Sequence, residues 1–425
     1  MISNDKLKGV SSQLLTPLLT VYGGQKMSNL EEIKNSLPVA PLELLVMDSA
    51  KELGKNVDTF LVNDRKNEGS KFAYDPAIQG YVRDTYLGKA KCPRFGTGEA
   101  KAVLEESIRG KDLFILCDVT NNSITYRMNN YVNHMSPDDH YQDLKRIIAA
   151  AAGKAKRINV IMPFLYEGRQ HKRSNRESLD CAFMLEELYS MGIDNFITFD
   201  AHDPRVANAI PISGFDNYTP PTPFIKALLN TERDMVIDKD HLVVISPDEG
   251  ALNRSIYFAN VLGVNTGMFY KRRDYTRIVN GKNPIVAHEF LGDDIDGKDV
   301  IIMDDMISSG ESMIDTARQL KEMNARRVYI CCTFGLFTNG LKAFDNAYER
   351  CWFEKVVTTN LNHRPAELKD RPYYVEADMT KFLADIINIM NHDASMSNIH
   401  HNSDKLKEAI DAYNRRAFHE LDEHA

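Results

Sequence analysis

Short apolar runs of strand length recur along the chain, separated by segments with helical periodicity. Eight of them are rich in β-branched, aliphatic and aromatic residues: 57–62, 113–117, 158–162, 196–199, 242–245, 300–303, 328–332 and 355–358. Each is nearly unbroken by polar residues, as parallel strands buried on both faces are. Between them, Cys181, Met184, Leu185, Leu188 and Met191 repeat at helical spacing, as do Met313, Ala317 and Leu320. Strands alternating with helices specify an α/β chain built on mainly parallel sheets flanked by helices.

An internal echo divides that pattern in two. Gly110-Lys-Asp-Leu-Phe-Ile-Leu-Cys-Asp118 resembles Gly297-Lys-Asp-Val-Ile-Ile-Met-Asp-Asp305, and Ala155-Lys-Arg-Ile-Asn-Val-Ile161 resembles Ala325-Arg-Arg-Val-Tyr-Ile-Cys331, in the same order. At about 150 residues per domain, 425 residues leave room for two or three units. The expected division is an N-terminal extension over 1–56, with a helix ending near Gly54, then domains over 57–223 and 224–390. The boundary falls at the Pro-rich 218–223, and a polar tail over 391–425 closes the chain. In that tail Leu406, Ile410, Tyr413, Ala417 and Leu421 predict an amphipathic helix that packs on the body or on a sister subunit, while His400 and His401 read as solvated.

Composition excludes several classes. A net charge of −8 argues against a broad nucleic-acid surface, which needs clustered positive charge. No stretch approaches the roughly 18 apolar residues of a membrane span. The first ten residues lack the apolar core of a signal peptide. Six cysteines without CxxC spacing fit neither a disulfide framework nor a structural zinc site. The expectation is a cytoplasmic protein with no nucleic-acid or membrane partner.

In open parallel sheets, ligands bind beyond the C-terminal ends of the strands. Those ends here carry Asp200 and His202, Asp248 and Glu249, and Asp304 and Asp305. Such a set predicts a polar cleft for a divalent cation or a polyol. The densest signal is residues 300–313, where an apolar strand ends in two acids, a Ser/Gly turn follows, and a helix begins. Backbone N–H groups in such a turn suit a phosphate monoester, with the acids placed to hold sugar hydroxyls. An ordinary strand–loop–helix, with Ser308 as N-cap and Glu311 as its capping-box partner, explains the same residues equally well.

Residues 300–313 resemble the phosphoribosyl-binding loop of type I phosphoribosyltransferases and of ribose-phosphate pyrophosphokinases, and five further segments resemble the second family in its order. Arg94-Phe-Gly-Thr-Gly-Glu99 is similar to the adenine-contacting loop. Met162 to Arg173 is similar to the ATP-binding stretch centred on Arg169 and Gln170. Asp200-Ala-His202 resembles the metal and catalytic motif, Ser246-Pro-Asp-Glu-Gly250 an active-site segment, and Lys271-Arg-Arg273 the mobile catalytic loop.

The resemblance implies two duplicated type I phosphoribosyltransferase-like domains. It implies an enzyme that transfers the diphosphoryl group of Mg-ATP to ribose 5-phosphate, in a homo-oligomer with Mg2+ as cofactor. Lys271, Arg273 and His202 would be catalytic. Arg169, Gln170, Thr97, Gly98, Glu99 and Arg176 would bind ATP. Asp304, Asp305, Ser308, Ser309, Gly310, Glu311, Ser312 and Asp248 would bind ribose 5-phosphate, with His202, Asp200 and Asp248 around the metal.

Three departures stand out against that family: Ser308 replaces an acid, Glu311 a glycine, and Thr97 an Asp. A carboxylate about 4–5 Å from a bound phosphate repels it by about 1 kcal/mol or more, unless Glu311 turns back to cap the helix. A catalytically silent nucleotide-binding homologue and a transferase that consumes phosphoribosyl pyrophosphate are the competing readings.

Overall fold

The computed structural model describes residues 36–68, 80–219, 221–273, 285–396 and 403–424. The first half builds a parallel sheet. Its strands are β1 (Leu42–Val46), β2 (Leu87–Gly88), β5 (Asp112–Leu116), β8 (Arg157–Ile161), β9 (Asn195–Phe199) and β10 (Gly214–Tyr218), with two antiparallel pairs beside it: β3 (Ala90–Lys91) with β4 (Val103–Leu104), and β6 (Thr125–Met128) with β7 (Tyr131–His134). The strand order is β10-β9-β8-β5-β1-β2, parallel throughout. Helices α1 (Lys51–Glu68), α2 (Pro137–Ala151) and α3 (Asp180–Ser190) flank it. Ser136 begins α2 with a capping box shared with Asp139.

The second half repeats this plan. After α4 (Thr222–Thr231) come β11 (Leu242–Ser246), α5 (Leu252–Leu262), β12 (Asn265–Arg273), β13 (Ile285–Leu291) and β14 (Asp299–Ile307). Then follow α6 (Glu311–Glu322), β15 (Arg327–Gly335), α7 (Lys342–Glu349), β16 (Lys355–Thr359) and β17 (Tyr374–Ala377). The order is β13-β12-β11-β14-β15-β16-β17, with only β12 and β13 antiparallel. Matching strands hold matching places in the two sheets, so the internal echo is a duplicated α/β domain.

Seven of the eight expected strands are present. The eighth, 57–62, lies inside α1. Its β-branched composition suggested a strand, but Leu53, Val57 and Leu61 are buried at four-residue spacing while Lys55, Asn56 and Thr59 are exposed. The strand that composition hid is β1, Leu-Glu-Leu-Leu-Val. Its Glu43 is buried and paired with Arg83 at 2.9 Å, which lets an acid sit in a core strand. The residues read as an N-terminal extension therefore include a strand that pairs with both β5 and β2, and the helix expected to end near Gly54 begins at Lys51.

The C-terminal segments also cross the expected boundaries. Helix α8 (Thr380–Asn391) follows β17 in the second half, yet its Phe382, Leu383, Ile386 and Ile387 pack with Leu42, Val57, Leu61 and Phe114 of the first. The buried Arg65 fastens it, donating to Asn388 Oδ1 at 3.0 Å and Asn391 Oδ1 at 2.7 Å, with its guanidinium over the Tyr81 ring. Helix α9 (Ser403–His424) returns to the second half, where Leu406, Ala409 and Ile410 join the core beneath β11. Asn414 brackets the backbone of Ile237 with two bonds of 2.9 Å. The amphipathic tail helix thus packs on the body. His400 and His401 lie outside the described residues.

Candidate active site

The C-terminal end of β9 faces the ends of β11 and β14 across the domain boundary. An open cleft of about 890 Å3 lies there, lined by Asp200, His202, Glu249, Asn253 and Arg254, with His171 on its wall. The first residue beyond β9, Asp200, takes a left-handed backbone (φ 39°), and its N–H donates to Tyr218 O. That kink turns the chain sharply, and His202 follows two residues later with its Nδ1 2.7 Å from Asp305 Oδ2. Two motifs from different domains therefore meet in one hydrogen bond.

Arg254 organises the carboxylates. It is the one cation of α5, Leu-Asn-Arg-Ser-Ile-Tyr-Phe-Ala-Asn-Val-Leu, and its side chain is 9% exposed. Its Nε donates to Asp200 Oδ1 at 3.1 Å, and its Nη1 lies 3.5 Å from Asp304 Oδ1. Thr333 of β15 donates to the other Asp200 oxygen at 2.7 Å. Burial works against ionising all three acids, and the outcome differs among them. Asp200 is raised by burial despite Arg254. Asp304 is raised well above the carboxylate range by burial and by the charge of Asp305. At Asp305 burial is outweighed by the His202 hydrogen bond and Arg254, which hold it low. The same hydrogen bond raises His202. Burial thus favours the proton on Asp304, while His202 and Arg254 favour the charge on Asp305.

The turn after β14 is shaped by its glycine. Gly310 adopts φ 84°, and a Cβ there would come within 2.3 Å of the Phe344 ring. Only glycine fits. Gly310 is itself the N-cap of α6, without a side-chain cap bond, and Glu311 is the first helical residue, exposed like Ser312. The capping box expected between Ser308 and Glu311 is therefore not formed, because the helix starts two residues later than that box requires. The N–H groups of this first turn and the positive helix end remain oriented toward the turn.

The structure brings some expected residues together and leaves others apart. Arg169 comes from the first domain, and its Nε and Nη2 lie 3.2 and 2.9 Å from Met306 Sδ, one residue beyond the acid pair. Gln170 instead holds its own loop, donating to Ser178 O at 2.8 Å. Arg176 is exposed on that loop. Thr97, Gly98 and Glu99 form a tight turn, closed by Phe95 N–H to Glu99 O at 2.7 Å, and do not line the cleft. Asp248 accepts from Gly250 N–H at 3.0 Å and shapes the turn after β11, whereas its neighbour Glu249 lines the cleft. Among the described residues no group of three His, Cys, Asp or Glu side chains is arranged to hold a metal, so His202, Asp200 and Asp248 do not form a ligand set. The expected mobile loop begins as strand: Lys271 lies in β12 opposite His288, Arg273 ends that strand, and the side chains of both lie outside the described residues. Sequence reasoning missed Arg254 and Thr333. A lone arginine in an apolar helix directly after a strand-end Asp-Glu was the available signal for the first.

Residues 42–192 match the N-terminal domain of ribose phosphate pyrophosphokinase, and residues 225–371 match the phosphoribosyl transferase domain. A ribose-phosphate pyrophosphokinase of Corynebacterium efficiens is 31% identical over 270 residues, covering 63% of this chain and 74% of the relative. The chain belongs to the ribose-phosphate pyrophosphokinase family. A Clostridium perfringens member is 27% identical over 317 residues, covering 74% of this chain and 90% of its own length. The phosphoribosylpyrophosphate synthetase structure from Mycobacterium smegmatis shares the fold, with a TM-score of 0.63 at 22% identity over 83% of this chain and 99% of that one. The family match starts at residue 42, where β1 begins, and so agrees with the placement of β1 inside the first domain.

Proposed function

We propose that the chain is a ribose-phosphate diphosphokinase. The C1 hydroxyl of ribose 5-phosphate attacks the β-phosphorus of ATP, the bond from that phosphorus to the α-phosphate oxygen breaks, and AMP leaves with 5-phosphoribosyl 1-diphosphate as product. The observation that carries this reading is the His202–Asp305 bond, which joins the Asp200-Ala-His202 turn to the Asp304-Asp305 pair and its Ser/Gly loop. In this reading Asp304 and Asp305 hold the ribose hydroxyls, while Ser308, Ser309, Gly310 and Ser312 hold the 5-phosphate. Arg169, resting on a thioether that is a weak acceptor, exchanges it for the triphosphate. Lys271 and Arg273 supply charge that acts chiefly in the transition state.

Mg2+ bound mainly by substrate oxygens needs only one or two protein donors. His202 fits as one, since its other ring nitrogen is fixed by a carboxylate. Such an ion would neutralise the phosphate charge. Asp200 fits less well, because both its oxygens are already engaged. The loop 94–99 stands outside the cleft, so it could reach ATP only across a subunit contact, which accords with a homo-oligomer. No helix among the described residues is long and apolar enough to cross a membrane.

The test is AMP and phosphoribosyl diphosphate formation from Mg-ATP, with and without ribose 5-phosphate. Stoichiometric products that require the sugar support the reading. Absence of turnover in protein that still binds ATP favours the silent homologue, for which the exposed Glu311 carboxylate at the anion site is the motivating observation.

A further inference from the structure

The duplication builds the interdomain cleft twice. Strands β1, β5, β8, β9 and β10 occupy the places that β11, β14, β15, β16 and β17 occupy in the second sheet. The cleft described above lies where the end of β9 faces those of β11 and β14. The end of β16 faces those of β1 and β5 in the same way, and a second cavity of about 390 Å3 lies there. Asp118 stands where Asp305 stands in the first cleft, and Asn360 and Asn362 stand in the places of Asp200 and His202. The boundary-crossing bond is repeated too, since the His363 N–H donates to Asp118 Oδ2 at 2.6 Å.

Two buried atoms in the residues lining this cavity have no protein partner: Asn362 Oδ1 and Arg364 Nε. Asn362 is 4% exposed and the Arg364 side chain 7%. Leaving such a group unmet costs about 1–3 kcal/mol. The rest of each side chain is committed, Asn362 Nδ2 to His363 O at 2.8 Å and Arg364 Nη2 to Glu376 at 2.7 Å. Of these two atoms one requires a donor and the other an acceptor, and hydroxyl groups provide both.

The wall carries four acids against three cations. Asp48, Glu52, Asp118 and Glu376 stand with Lys51, Arg364 and Lys369, and burial holds His363 below the ordinary histidine value. Residues 121–125, in the place of the phosphate loop, read Asn-Asn-Ser-Ile-Thr, without glycine. Asn121 Oδ1 is taken by the Ser123 N–H and hydroxyl. A polyanion finds neither cradle nor net positive charge there.

We propose that this second interdomain cavity binds a neutral polyhydroxy ligand of the pentose class through Asn362 and Arg364. The volume sits near the lower end for small-molecule sites, which suits a sugar. Hydrogen exchange of the full chain with D-ribose tests this. At ribose several times its dissociation constant, segments 47–56 and 360–369 should exchange about fivefold more slowly. Asn362→Leu should abolish that protection. If this variant does not fold, Asn56→Trp, on an exposed helix position lining the cavity, should abolish it by filling the space. Protection confined to 200–205 and 304–312 would show sugar binding in the first cleft alone and overturn the proposal. So would protection that survives the variants, or equal protection by inorganic phosphate.

Discussion

The two interdomain clefts share a framework and differ in what their strand ends carry. In the first, Asp200-Ala-His202 follows β9 and Asp304-Asp305 lies near the end of β14, with Gly310 opening a helix N-terminus behind them. In the second, β16 ends in Asn360-Leu-Asn362 and β5 runs into Cys117-Asp118, with no glycine in the following turn. Burial raises Asp118, whose carboxylate is consumed by Thr120 and His363. Asp305 instead stays ionised against a histidine that also lines open space. Duplication thus reproduces cleft geometry, while the side chains at the strand ends differ between the two clefts.

The largest asymmetry should be in the cations. Lys271→Ala is expected to lower kcat by about 100- to 1000-fold with little change in ribose 5-phosphate affinity, because the proposed role of its charge is in the transition state. Steady-state kinetics with wild-type turnover would remove Lys271 from the mechanism. The matched acids give the next contrast. Asp305→Asn removes the charge that orients His202, and kcat/KM for ribose 5-phosphate should fall by about 100-fold. Asp118→Asn should leave kcat within about twofold and lower Tm instead, since its carboxylate is used for structure. Equal losses of activity in both would break the distinction between the clefts.

A third difference concerns how the halves are held. His392, at the end of α8, is buried against Tyr81 and Ser36, and burial with the Arg65 charge lowers it to about 4. An unfolded histidine takes up its proton near 6.5, so the unfolded chain binds that proton first as pH falls. Stability should therefore drop between about pH 6.5 and 4 by about 3 kcal/mol. Denaturant melts should show this slope, and His392→Gln should flatten it. The smallest effect belongs to Glu311. Replacing its exposed carboxylate with the amide, Glu311→Gln, should tighten ribose 5-phosphate by about threefold, while costing α6 about 0.3–1 kcal/mol of helix-dipole stabilisation. Unchanged affinity by calorimetry would place the carboxylate away from the phosphate.

Seven of the eight expected strands were legible because parallel strands buried on both faces are nearly continuously apolar, whereas the run 57–62 imitated that pattern inside a helix. The duplication was legible because Gly-Lys-Asp before β5 and β14 marks the same turn twice. Asp304, Asp305 and Gly310 were legible because strand-end acids and a positive-φ glycine leave local traces. What the sequence could not decide was set by distant partners. Leu42–Val46 can hold Glu43 in a core strand because Arg83 and Lys111 pair with it, and Val57 belongs to a helix because its neighbours at four-residue spacing find α8. Arg254 became part of the site, and Asp248 a turn residue, through the direction in which α5 leaves β11. Local chemistry determined which residues could serve a phosphorylated sugar and a nucleotide. Packing between the two domains determined which of them meet, because a hydrogen bond such as His202 to Asp305 depends on positions that no local periodicity encodes.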